Sequence, residues 1–175
     1  MARRSSWALA GVLLALAAAF PAIGAARPAA AGPSVLYQQV SLSGKAEKGR
    51  GEADGQGMVT ICLDQTKNVV FYGFTALVVN GQPTAGHIHK GGPGVSGPVV
   101  VPFEQPGLID FSTGELEWSG AANASKGIVS ALASNPAGFY VNVHTKAFAN
   151  GAVRGQLGVW KRLNHNAAVT ACGAY

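Results

Sequence analysis

Three histidines carry the chain's clearest chemical potential. His87 and His89 flank Ile88 in the run Ala85-Gly86-His87-Ile88-His89. Side chains on an extended segment alternate between faces, so an Ile88 turned to the core sends both imidazoles the other way. Two imidazoles at i and i+2 can converge on one ion. His144, in Tyr140-Val141-Asn142-Val143-His144-Thr145, offers a third from a separate segment. Three histidines with one open position is an arrangement that zinc and copper accept. Asn142, Arg154 and Gln156 fall on the same face, where they would orient the imidazoles or bind an anion. The competing reading needs no metal. Each histidine then donates to a carbonyl or an amide in a surface network, and Arg154 supports the strand ladder beside Gln156. His165, near the end of the chain, is incidental to either reading.

Other catalytic sets find no support. Ser43, Ser96 and Ser119 lie near no base that would make a Ser-His-Asp arrangement. Glu115 and Glu117 share one strand face, whereas paired acid and base carboxylates normally face each other across a cleft. The glycine-rich stretch from Gly51 to Gly57 leads into a strand, not a helix, which excludes a phosphate loop.

The elements that must hold the histidines are strands. Alternating apolar runs bounded by glycine-rich turns predict strands over 35–42, 57–63, 69–78, 85–89, 98–103, 115–119, 139–147 and 152–159. Ile128, Val129 and Leu132 recur at helical spacing and Asn135-Pro136 closes the segment, predicting one short crossover helix. The expected fold is all-β, a Greek-key-like antiparallel β-sandwich. Asn150-Gly151 marks the last hairpin. A three-residue loop over 149–151 pairs Val143 with Leu157 and Val141 with Val159, giving an apolar face of Val141, Val143, Ala147, Val153, Leu157 and Val159. A two-residue loop would pair Val143 with Gly158 and move Arg154 to the apolar face.

The first residues resemble an export leader. Arg3 and Arg4 precede an apolar run from Trp7 to Phe20, followed by Pro21 and small residues. That run of about 14 residues is short of the roughly 20 a spanning helix needs, which favours a signal peptide over 1–25 rather than a membrane anchor. Cleavage after Gly24, Ala25 or Ala31 fits the small residues. Residues 26–34 read as a flexible leader, 35–159 as one β domain, and 160–175 as a C-terminal tail. The whole chain has 13 basic and 8 acidic residues. Without Arg3 and Arg4, eleven bases stand against eight acids, about +3. Those bases are scattered with no aromatic stripe between them, so nucleic acid is not an expected partner. The mature chain has no expected transmembrane segment.

Cys62 and Cys172 are the only cysteines. In an oxidising compartment an even pair predicts a disulfide, with two free thiols as the alternative. Val59, Ile61 and Leu63 share one face of their strand, which puts Cys62 on the outer face with Thr60 and Asp64. A bridge there would pin the tail against the sheet. Closing about 110 residues is worth roughly 4–5 kcal/mol in the chain-entropy account.

Four segments then form a recognisable series. Leu42-Ser43-Gly44-Lys45-Ala46-Glu47 is followed by Ala85-Gly86-His87-Ile88-His89, by Tyr140-Val141-Asn142-Val143-His144-Thr145, and by Gly151-Ala152-Val153-Arg154-Gly155-Gln156-Leu157. Their order and spacing resemble the CHRD domain, the module first described in chordin and found in bacterial exported proteins. The resemblance covers about residues 35–159. It implies an extracellular β-sandwich without an assigned molecular role. Together with the export leader and the lack of a catalytic set, it gives the expectation of a secreted, non-catalytic binding or structural module that needs no cofactor and meets an extracellular protein or glycan. A second, weaker resemblance is to copper–zinc superoxide dismutase. It implies His87, His89 and His144 as copper ligands and Arg154 as anion guide. The extra histidines and Asp of a dinuclear site have no counterpart between His89 and His144, so the alternative function is mononuclear copper or zinc binding. A third expectation is weak association with an anionic glycan through Lys146, Arg154, Lys161 and Arg162.

Overall fold

The computed structural model describes residues 35–104 and 116–172. The expected signal peptide, its leader and Glu115 lie outside the described residues. Those described form strands β1 (Val35–Ser43), β2 (Gln56–Asp64), β3 (Val69–Val78), β4 (Pro83–Lys90), β5 (Val99–Pro102), β6 (Leu116–Asn123), β7 (Phe139–Thr145), β8 (Val153–Gln156) and β9 (Lys161–Leu163). Two helices accompany them, α1 (Lys126–Ser134) and α2 (His165–Cys172). The fold is all-β, as the alternation of apolar residues predicts.

Strand order is β5-β4-β7-β8-β1-β2-β3-β6, with β9 pairing β1 off this path. Every pairing is antiparallel. The path has two leaves, β5-β4-β7-β8 and β1-β2-β3-β6, which meet at a single register pair, Ser43 with Arg154. One leaf contributes Ile88, Val101, Val141, Val143 and Val153 to the core, and the other Val40, Leu42, Val59, Ile61, Leu63, Val70, Tyr72, Phe74 and Trp118. These are alternate positions on their strands, so the opposite positions of β4 and β7 are free to carry polar groups. Phe74 stacks on Trp118 at 4.8 Å between ring centres. The Trp118 ring also presses on Gly86, where a methyl group would lie 2.5 Å from its nearest carbon. A glycine before the histidine pair is therefore a packing requirement.

The helix expected between β6 and β7 is α1. Ser125 caps it, accepting from the Ile128 amide at 3.3 Å. Val129 and Leu132 are buried, and the helix ends before Pro136. A second helix, α2, belongs to the tail and was not expected. Its apolar positions are mainly alanines, too weak a contrast to show a helical period. Cys62 and Cys172 form the disulfide, with Cα atoms 6.1 Å apart. Cys62 points away from the main core yet is buried, because Ala168 of α2 packs with it and Val35 in a second small core. No helix among the described residues is long and apolar enough to cross a membrane.

The last hairpin departs from expectation. Val143 pairs with Val153 and Val141 with Gly155, not with Leu157 and Val159. The chain leaves β7 early: the Thr145 carbonyl accepts from the Phe148 amide at 3.1 Å, and Thr145 Oγ1 accepts from the same amide at 3.2 Å. The Phe148 carbonyl then receives the Gly151 amide at 3.0 Å. Ala147 is consequently exposed in the loop, and Val159 is 89% exposed. The pairing is offset by four residues, an even number, so every side chain of β7 and β8 keeps its expected face.

Candidate metal centre

β4 and β7 are neighbours, with His87 opposite Asn142 and Ala85 opposite His144. Their shared outer face brings His87, His89 and His144 together. One ring nitrogen from each lies within 4.8 Å of the others. His87 Nδ1 and His144 Nε2 are 3.2 Å apart, close to the edge of about 3.3 Å in a tetrahedron with metal–nitrogen bonds of roughly 2.0–2.1 Å.

Backbone carbonyls fix two of the rings. His89 Nδ1 donates to the Gly97 carbonyl at 2.8 Å, and His144 Nδ1 to the Ala149 carbonyl at 2.9 Å. A carbonyl can only accept, so in each neutral ring Nε2 carries the lone pair. His89 is 9% exposed, and its Nε2 is buried with no hydrogen-bond partner. The His144 Nε2 lies 3.2 Å from Asn142 Oδ1. Burial, followed by the charges of His144 and His89, lowers the His87 pKa from 6.5 to about 4. Burial also lowers that of His144, against the Ala149 carbonyl, which favours its charged form. The rings of His87 and His144 are thus held neutral and able to ligate at physiological pH.

The expected supporting residues divide. Asn142 sits within the cluster. Arg154 and Gln156 lie on the same face but serve the loop over residues 91–97, which covers it. Arg154 donates to the Val95 carbonyl at 3.0 Å, to the Gly92 carbonyl at 2.8 Å and to Gln156 Oε1 at 3.3 Å. Gln156 Nε2 donates to the carbonyls of Gly91, Ala137 and Phe139 at 2.9, 2.9 and 2.6 Å. Arg154 is 2% exposed and its guanidinium carbon lies 3.4 Å over the Tyr140 ring. It is a buried loop anchor, which removes it from the exposed basic set expected to meet a glycan.

Two contributors carried no expected role. Tyr140 stacks on His89 at 4.8 Å with rings 6° from parallel, and its hydroxyl accepts from the Gly97 amide at 3.3 Å. Its place was legible, since it shares the face of Asn142 and His144. Glu47 was not legible, because its partners lie far along the chain. After Ser43, whose Oγ accepts from the Lys45 amide at 3.2 Å, a single 3-10 turn over Gly44–Ala46 delivers Glu47 to this face. The Glu47 side chain occupies the space where Gly151 lacks a Cβ, and Gly151 has φ +128°. Burial raises the Glu47 pKa against the Arg154 charge, the Asn142 side chain and the Lys48 amide, which favour its charged form. Its Oε1 is buried without a hydrogen-bond partner.

The four segments that build this face are those that carried the sequence resemblance. The CHRD domain family model matches residues 38–157. The chain belongs to the CHRD-domain family. No curated protein and no solved structure matches it. The CHRD match runs from the first strand to Leu157, just past β8, so β9, α2 and the disulfide partner Cys172 are additions beyond the matched CHRD region.

Proposed function

We propose that this CHRD domain is an exported, non-catalytic module that binds one copper or zinc ion through His87, His89 and His144. The observation that carries the reading is the lone pair of His89 Nε2, buried without a hydrogen-bond partner in a cluster whose three ring nitrogens lie within 4.8 Å of one another. A proton on His87 Nδ1 can answer the His144 Nε2 lone pair at 3.2 Å, but nothing answers that of His89. A cation among the three rings satisfies it.

Export is supported by the leader-like first residues and by the Cys62–Cys172 disulfide, a bond favoured outside the reducing cytosol. The absence of catalysis is supported by Arg154. In a superoxide-dismutase-like site this group would attract the anion, whereas here its donors hold Gly92 and Val95 and its charge is buried.

The test is metal content. Protein isolated without chelator or affinity-tag histidines should hold about one copper or zinc per chain, and His144→Ala should lose it. A chain that takes up neither metal after incubation would leave the histidines as a structural network. Turnover of superoxide by the loaded protein, abolished in His144→Ala, would overturn the non-catalytic part.

A further inference from the structure

We propose that the cleft between β1 and the segment leaving β8 binds an acidic saccharide, with Lys161 taking its carboxylate and Gln38, Gln39 and Ser41 its hydroxyls. The proposal goes beyond the metal reading, since none of the three histidines lines the cleft. The cleft exists because the two leaves part after one bridge. β1 pairs β9 over residues 35–37 and meets β8 only at Ser43, so residues 38–42 have no register partner on that side. Beyond Gln156 the chain stays with β7, where the Leu157 amide donates to the Phe139 carbonyl at 2.9 Å. It returns to β1 only at Lys161. The space between is about 520 Å³, within the roughly 300–1,000 Å³ of small-ligand sites. Lys161 lies beyond the matched CHRD region, so this wall of the cleft is an addition to it.

The polar groups of the cleft are uncommitted. Gln38 is 4% exposed, and its Oε1 accepts from the Gly158 amide at 2.7 Å. Both residues line the cleft, so the carboxamide lies at its wall. That bond fixes the amide, because turning it would set one N–H group against another. Nε2 is left as a buried donor with no partner. An unanswered buried donor is costly, and an acceptor entering beside Gly158 would answer it. Gln39 and Ser41 lie on the other face of β1, exposed, and their side chains make no hydrogen bond among the described residues. Lys161 is exposed and in no ion pair among those residues. Half-buried Tyr37 lines the same space and offers an aromatic side chain to the apolar side of a sugar ring. An ammonium and a free amide N–H call for a ligand rich in acceptors. Gln39 and Ser41 can both give and take, which suits hydroxyls. A neutral sugar would leave the ammonium unanswered, and a simple carboxylate would leave the amides. A sugar carrying a carboxylate meets both demands.

The test titrates the disulfide-bonded protein with a disaccharide of glucuronic acid, the neutral disaccharide of glucose, and acetate, followed by nitrogen-15 NMR. The acidic disaccharide should shift the side-chain amide signals of Gln38 and the backbone amide of Gly158. It should bind about 10-fold more tightly than either the neutral disaccharide or acetate. Lys161→Gln should abolish the preference for the acidic sugar, and Gln39→Ala with Ser41→Ala should weaken both sugars. All three side chains are exposed, so the fold should survive these changes. Equal affinity for the acidic and neutral sugars, or no shift at Gln38 and Gly158, would overturn the proposal. Acetate binding as tightly as the acidic disaccharide would overturn the saccharide and leave a simple anion at Lys161. None of these outcomes depends on whether the histidines hold a metal.

Discussion

At the scale of single residues, burial sets the chemistry of the histidines. The unfolded His87 titrates near 6.5 and the folded one near about 4. Between those values the unfolded chain binds the extra proton. Stability of the metal-free protein is therefore complete above about pH 6.5 and falls as pH drops toward 4. Denaturant midpoints at pH 7 and pH 5 should differ, and His87→Ala should flatten that difference. A midpoint that rises on acidification would contradict the neutral imidazole. The histidines themselves were legible in the sequence, because strand alternation around Ile88 and Val143 decides which way they face. Glu47 was not, since it reaches Asn142 only through the turn at Ser43 and the single bridge between Ser43 and Arg154. Nothing in the local sequence around either residue encodes that meeting.

At the scale of elements, the outer face of β4 and β7 is made into a site by the 91–97 loop. The glycines from Gly91 to Gly97 suggest in the sequence a stiff loop close around the histidine pair, but they carry few side chains to show what holds it there. The structure gives it backbone partners instead: the Gly91 amide donates to Gly138 at 2.7 Å and the Lys90 amide to Pro98 at 3.0 Å. Arg154 is the central fastener, with a planar fork that serves two carbonyls at once. A lysine ammonium cannot span both. Arg154→Lys should cost about 1.5–3 kcal/mol, read from urea denaturation. It should also weaken metal binding, because the loop supplies the carbonyl of Gly97 that orients His89. Unchanged metal affinity in a destabilised Arg154→Lys would separate the loop from the site. The hairpin register shows the same limit of local reading. Asn150-Gly151 suggests a tight turn, but the hydroxyl and carbonyl of Thr145 turn the chain earlier.

At the scale of the whole described domain, the two leaves have different outer duties. The leaf holding β4 and β7 carries the polar cluster. The leaf holding β1, β2 and β3 carries the tail, where α2 and the disulfide cover Cys62, Val35 and Phe71. Among the described residues the tail adds no ligand to the cluster, so its contribution there is expected in stability alone. The bridge closes 110 residues of chain. In the chain-entropy account, that limits the unfolded ensemble more than it alters the native state. Replacing both cysteines, Cys62→Ala with Cys172→Ala, should lower unfolding stability by about 2–5 kcal/mol. Below its new melting point, the variant should bind the same complement of copper or zinc as the parent. Urea denaturation of the oxidised parent, the reduced parent and the double variant tests the first part, and metal stoichiometry in the folded variant tests the second. Equal stability of the oxidised and reduced forms would mean that the α2 contacts with Val35 and Cys62, not the bond, hold the tail. Loss of metal from a folded double variant would couple the leaves through the core between Ile61 and Ile88, which the separate packing of their outer faces does not predict.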